Sequence, residues 1–368
     1  MAILRWAKKN IVFCIAALAA GFTCFFVPPD AAYADYFDWK TLACLFMTLA
    51  VVCALRNIKF FTIVARRLVR ISGNLRSLFL LLIAITFLGS MLIANDMALI
   101  TFLPLGYFAL SVTRQEKYMA YLFILQNISA NLGGMLTPFG NPQNLYLYSY
   151  FNIPTGEFCR IMLPPFLLAI TLLAVCCLPI KATPLTIEDS FNERLSIKRT
   201  ILYLVLFALS LLIVFRVLPY WIGLILITAV LLWADREALL MVDYGLLGTF
   251  FFFFVFAGNL SRLEAVNTVM SQLLARDPLL VSTLSCQVIS NVPTAILLSR
   301  FTTDYPALLL GVNIGGTGTL IASLASLITF SEFRVLYPGH SKQYFWLFTA
   351  MNVGFLLIMT VAAKLFFI

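Results

Sequence analysis

Residues 126–145, QNISANLGGMLTPFGNPQNL, interrupt an otherwise apolar run from Tyr118 to Phe151 with asparagine, serine, glycine and proline. A run of that length can cross a bilayer even with an unwound centre. Glycine and proline deny the helix its hydrogen bonds, so peptide groups between Gly133 and Asn141 would be left unpaired, at a cost of several kcal/mol each against lipid. Such a break has to line a cavity inside protein.

The same device recurs near the other end of the chain. In VNIGGTGTLIASLAS, starting at Val312, Asn313, Gly315, Gly316 and Thr319 fall over Asn131, Gly133, Gly134 and Thr137 without a gap, and apolar sequence again lies on both sides. Two broken helices at matching places in two halves mark the binding site of a secondary transporter.

Composition fits a membrane-embedded chain. Of 368 residues 62% are hydrophobic and 11% charged, with a mean hydropathy of +0.98, which leaves too little polar surface to cover a soluble globule. The net charge of +9 does not point to nucleic acid, because the basic residues sit in short loops between apolar runs and not in a patch interleaved with aromatics. The eight cysteines lie mostly within apolar segments without a CxxC pair, as small packing residues do. Arg5, Lys8 and Lys9 precede an apolar run to Val27, and Ala32-Tyr33-Ala34 then has the form of a signal-peptidase site. The expectation is that this segment stays in place as the first span.

Spans are expected at 11–27, 40–55, 118–152 (broken), 160–180, 200–216, 219–234, 244–260, 305–330 (broken) and 343–364, nine crossings in all. Between them, 77–110 and 278–299 read as re-entrant hairpins with polar tips at Asn95-Asp96 and Ser290-Asn291. The second has arms too short to cross; the first is long enough to be two thin spans instead. With the amino terminus in the cytoplasm, most basic residues fall inside, among them Arg56, Lys59, Arg66, Arg67, Arg70 and Arg76, while Asp30, Asp35 and Asp38 fall outside. Residues 1–180 form a first half and 219–368 repeat its pattern upside down, joined by a cytoplasmic linker and connecting span at 181–218. The carboxyl terminus is then external. In each half the second span is followed by a segment too polar to cross, 57–71 and 261–275; the first, carrying Arg66, Arg67 and Arg70, reads as a helix lying at the interface.

Asp96 is the single acidic residue deep in an apolar run, where a bare carboxylate is costly unless protonated or holding a cation. A cap on the return arm of the hairpin is the plainer alternative. Asn95, Asn291 and Ser290 at the tips, with Gly133 and Gly315 at the breaks, complete an expected ion-coupling set that could hold Na+ at Asn95, Asp96 and Asn291. Helix amino termini at the tips and past the breaks, near Pro142 and Leu320, would favour an anion. Neither hairpin interior nor break carries Lys or Arg, so its ligands would be backbone amides together with Thr137, Asn141, Asn144, Thr317, Thr319 and Ser323. No other metal site is expected. Gly311 to Gly318 lacks the lysine of a phosphate loop, and His340 stands in a polar loop. Nothing favours an enzyme.

ANDMALITFLPL, ANLGGMLTPFGNPQN, SNVPTAILLS and VNIGGTGTLIASLAS resemble, in this order, the four signature segments of the ion transporter superfamily, which includes citrate and dicarboxylate carriers, arsenite permeases and D-type sodium/proton antiporters. The resemblance implies an all-α polytopic membrane protein with an inverted repeat, acting as a homodimer whose transport domain slides like an elevator against a fixed scaffold. In the sodium-coupled dicarboxylate branch both tips read Ser-Asn-Thr. Here they read Ala94-Asn95-Asp96 and Ser290-Asn291-Val292, so the likeness moves toward the arsenite and antiporter branches and toward coupling through Asp96. The expected activity is transport of a small anion or oxyanion across the bacterial inner membrane, coupled to H+ or Na+ with no other cofactor. Cation/proton antiport, or a receptor on a transporter scaffold, are the alternatives.

Overall fold

The computed structural model describes residues 11–185 and 195–367, and within them the chain is almost wholly helical. The middle of the linker, and Arg5, Lys8 and Lys9, lie outside the described residues. The helices are α1 (Ile11–Cys24), α2 (Trp39–Asn57), α3 (Phe60–Val69), α4 (Leu75–Ile93), α5 (Asn95–Val112), α6 (Met119–Gly133), α7 (Pro142–Tyr150), α8 (Thr155–Cys177), α9 (Ile197–Val214), α10 (Tyr220–Ala234), α11 (Arg236–Leu240), α12 (Tyr244–Arg262), α13 (Glu264–Arg276), α14 (Pro278–Ile289), α15 (Asn291–Leu298), α16 (Tyr305–Ile314), α17 (Leu324–Leu336) and α18 (Ser341–Ala362).

Among the described residues seven helices are long and apolar enough to cross a membrane, and both arms of the first hairpin, α4 and α5, are among them. The expected spans 11–27 and 219–234 form the shorter apolar helices α1 and α10. Both expected breaks are present. α6 gives way at Gly133 and the chain restarts as α7 at Pro142; α16 stops at Ile314 and restarts as α17 at Leu324. The two polar segments after the second span of each half are the helices α3 and α13.

Aspartates set many of the helix starts. Asp30, Asp38, Asp235, Asp243, Asp277 and Asp304 each accept a backbone N–H from the first turn of the helix they precede, which satisfies one of the amide donors a helix leaves open. In packing, α1 lies on α12, and α2 lies on α9, α10 and α11. The hairpins pack on the broken helices: α4 and α5 on α6, α14 and α15 on α16. These two groups touch where α2 meets α7 and where α12 meets α15.

Arginines bind the groups at one end. Arg216, in the turn between α9 and α10, donates to the Tyr148 and Ile153 carbonyls at 2.5 and 3.1 Å and lies over the Tyr148 ring. Arg300, just past α15, donates to the Tyr36 carbonyl at 2.6 Å. Open carbonyls at helix ends suit such cations.

Candidate functional site

The two hairpins turn on one backbone conformation. Ala94 has φ 65° and ψ 154°, and Ser290 has φ 73° and ψ 158°, a region that side-chain-bearing residues rarely occupy. The next residue in each case is the asparagine that opens the return arm, and its amide oxygen accepts the following backbone N–H: Asp96 to Asn95 at 3.0 Å, Val292 to Asn291 at 2.9 Å. The sequence pattern placed Ala94 and Ser290 at the tips but did not mark their positive φ, since glycine is the residue a positive φ announces. Strain of roughly 1–3 kcal/mol at such a position exceeds the roughly 0.5–1 kcal/mol that a glycine loses in chain entropy. Ala94→Gly is therefore expected to raise the melting temperature of purified protein, and a lower one would show the turn to be unstrained.

Each tip is fastened to a broken helix. Asn95 Nδ2 donates to Asn131 Oδ1 at 3.2 Å, and Thr137 Oγ1 donates to the Met91 carbonyl at 2.8 Å. At the other tip, the Asn291 N–H donates to the Ala322 carbonyl at 3.0 Å. Gln287, one turn before Ser290, donates through Nε2 to the Gly315 and Thr317 carbonyls and accepts the Thr319 N–H on Oε1 at 2.9 Å. Asn144 performs the matching service in the first break, its Nδ2 reaching the carbonyls of Gly134, Met135 and Thr137. These amides pair backbone groups that the breaks leave open.

The breaks also meet each other. Asn313 Nδ2 donates to Asn144 Oδ1 at 2.6 Å, while Asn313 Oδ1 accepts from Asn141 and Gln143, both at 3.3 Å. All four side chains are buried. Close approach depends on glycine: a Cβ on Gly133 would sit 2.2 Å from the Phe87 carbonyl, and one on Gly315 2.7 Å from the Gly311 carbonyl and 2.8 Å from Cys286 Sγ.

Both tips line one cavity of about 360 Å³. Asn95, Asp96, Ser290 and Asn291 are on its wall, with apolar residues of α1, α12 and α17. Two carboxylates face it, Asp96 and Asp243, and among the described residues no Lys or Arg does. Asp96 does not cap α5: the N-cap is Ala94, and the side chain makes no cap bond. Its Oδ1 is sealed from solvent without a hydrogen-bond partner, a costly position for an acceptor.

The remaining candidates are not on the cavity wall. Gly133 and Gly315 make the tight contacts described above. Thr137, Asn141 and Asn144 brace the first break. Thr319 Oγ1 donates to the Gln287 carbonyl, Thr317 Oγ1 to the Ile314 carbonyl, and Ser323 caps α17 by accepting the Ser326 N–H at 3.2 Å. Ser323 also explains why α17 starts at Leu324, four residues after the restart expected near Leu320. Asp243, Gln287 and Gln143 are participants that sequence reasoning missed. Gln287 is a polar residue within an apolar hairpin arm, a signal that was available; Asp243 lies just before an expected span, where an aspartate reads as an ordinary cap.

The citrate transporter family model matches residues 1–305. The chain is similar to the uncharacterized transporter MJ0456 of Methanocaldococcus jannaschii, 36% identical over 295 residues that cover 79% of this chain and 80% of that one. It is also similar to the inner membrane protein YbiR of Escherichia coli K12, 29% identical over 356 residues, with 92% and 93% covered. The silicon efflux transporter LSI3 of Oryza sativa subsp. japonica is 32% identical over 155 residues, 41% of this chain and 31% of that protein.

Proposed function

The chain belongs to the citrate transporter family, and from that premise we propose that it is a secondary active transporter moving a small anion or oxyanion, citrate- or dicarboxylate-like or arsenite-like, coupled to H+ or Na+ through Asp96. The observation that carries this reading is the cavity shared by the two hairpin tips, with Asp96 on its wall and, among the described residues, no Lys or Arg beside it. At an effective dielectric of about 20, an anion within ~4 Å of an ionised carboxylate meets roughly 4 kcal/mol of repulsion. A cargo anion therefore enters together with a proton or cation that neutralises Asp96. Coupling is then a consequence of electrostatics.

The hairpins are read as re-entrant, entering from opposite sides so that their tips share one cavity. Residues 1–180 and 219–368 are read as inverted halves, and the matching tip conformations at Ala94 and Ser290 support this. The hairpins and broken helices would move as the elevator of a homodimer against α1, α2 and α9–α12. With the amino terminus in the cytoplasm of an inner-membrane protein and the carboxyl terminus external, Ile11 and Asp243 lie at cytoplasmic helix ends. Their place on the cavity wall supports reading this as an inward-open state.

A second reading, cation/proton antiport with Asp96 as the exchanged site, is favoured by the two carboxylates on the cavity wall. Reconstituted vesicles carrying a pH-sensitive dye separate the two. Citrate, sulfate, arsenite and silicate are each tested under H+ and Na+ gradients, and Na+ or Li+ is tested alone. Gradient-driven flux of one of the acids is expected; a dye response to Na+ or Li+ with no acid moved would replace the first reading by the second. Binding without any flux would overturn both.

A further inference from the structure

Asp243 lines the cavity from α12, on the group of helices that packs around α1, whereas Asp96 comes from the first hairpin. It is exposed, and its Oδ1 caps α12 by accepting the Leu246 N–H at 2.9 Å. Capping does not call for a charge, because asparagine and serine cap as well as aspartate. What the charge faces is a mostly apolar wall. α1 contributes Ile11, Val12 and Phe13, α12 itself Gly245 and Thr249, and α17 Leu324 and Leu327. The hairpins contribute the neutral Asn95, Ser290 and Asn291, which leaves Asp96 as the other titratable group on the wall among the described residues. Lys8 and Lys9 lie outside those residues.

Two carboxylates sharing a low-dielectric cavity hold a proton or a cation between them more readily than either alone, since two like charges there disfavour one another. The two also differ in access. Asp243 is open to solvent, whereas Asp96 Oδ1 is sealed and has no partner. Asp96 is half-buried and Asp243 exposed, so an ion arriving from solvent has readier access to Asp243.

We propose that Asp243 is a relay carboxylate for the coupling ion, taking H+ or Na+ from solvent and passing it to Asp96. This rests on the transporter reading above. For a proton the balance is simple: the Asp243 carboxyl loses its proton as the Asp96 carboxylate gains one, and no other group changes charge. For Na+ the ion exchanges one carboxylate for the other.

The test is ion-driven flux in proteoliposomes, measured as a function of pH and, separately, of Na+ concentration, for wild type, Asp243→Asn, Asp243→Ser and Asp243→Glu. Asparagine and serine keep the cap and remove the charge; glutamate keeps the charge. Loss of one unit charge from the wall of the cavity that the accepting carboxylate shares is expected to raise the H+ or Na+ concentration needed for half-maximal flux about tenfold. The maximal rate at saturating ion should change little, and Asp243→Glu should restore most of the ion affinity. The arm that shifts, pH or Na+, identifies the ion. If the neutral variants keep the wild-type ion dependence, Asp243 is a cap and nothing more. If both neutral variants lose maximal rate and thermal stability together while their ion dependence stays put, the role is structural and the relay is likewise overturned. Failure of the wild type to show any ion-driven flux is a different result, and defeats the transporter reading itself.

Discussion

Asp96→Asn is expected to abolish ion-driven flux, by about a hundredfold or more, which at 1.36 kcal/mol per decade corresponds to about 3 kcal/mol of lost coupling, while the protein folds and melts as the wild type does. The substitution is nearly isosteric. Among the described residues Asp96 Oδ1 has no hydrogen-bond partner to lose, and the backbone N–H that pins the tip to Asn95 Oδ1 is untouched. A neutral amide in this place removes the one change the site needs, a group that is charged without its ion and uncharged with it. Stability and function should therefore separate. Flux under H+ and Na+ gradients, set beside the melting temperature, gives both quantities from one preparation, and a variant that retains fully coupled flux would remove Asp96 from the mechanism.

The breaks and tips were legible in the amino-acid sequence because each is a local conflict. Asn, Gly and Pro inside an apolar run contradict a continuous helix wherever the chain folds, so α6 ends at Gly133 and α7 begins at Pro142, as the pattern of residues 126–145 requires. The hairpin tips at Asn95 and Asn291 follow from the same logic. What was not legible is tertiary. Asn144 and Asn313 are 169 residues apart, and nothing local tells an asparagine that binds cargo from one that holds a break together. For that reason Thr137, Asn141 and Asn144 looked available for an anion, yet in the structure the Thr137 hydroxyl and the Nδ2 groups of Asn141 and Asn144 donate to carbonyl and amide oxygens. Asp243 was hidden by its ordinary local role. A capping aspartate has the same sequence signature whether its far side meets solvent or a cavity, and only the packing of α1 and α12 beside the tips distinguishes the two.

Asn131 and Asn313 stand in the same register of the two halves, and the structure predicts opposite consequences for removing them. Asn313→Leu keeps the volume roughly constant but strands Asn144 Oδ1 and Gln143 Nε2, which have Asn313 as partner, in a site where all of these side chains are buried. At roughly 1–3 kcal/mol for each buried group left unpaired, the cost is roughly 2–6 kcal/mol, a large fraction of the roughly 5–15 kcal/mol that holds a domain folded. Asn131→Leu is a different loss. Among the described residues the Asn131 side chain meets Asn95 Nδ2 alone and its own Nδ2 already lacks a partner, while the bond from Asn141 goes to its backbone carbonyl, which leucine keeps. Its effect should fall on the hairpin tip: melting temperature nearly unchanged, flux reduced severalfold as Asn95 loses its anchor. Asn313→Leu should instead lower the melting temperature steeply or abolish recovery of folded protein. Equal melting of the two variants would mean that the Asn313 amide cluster does not join the breaks, and that the two halves carry their loads alike.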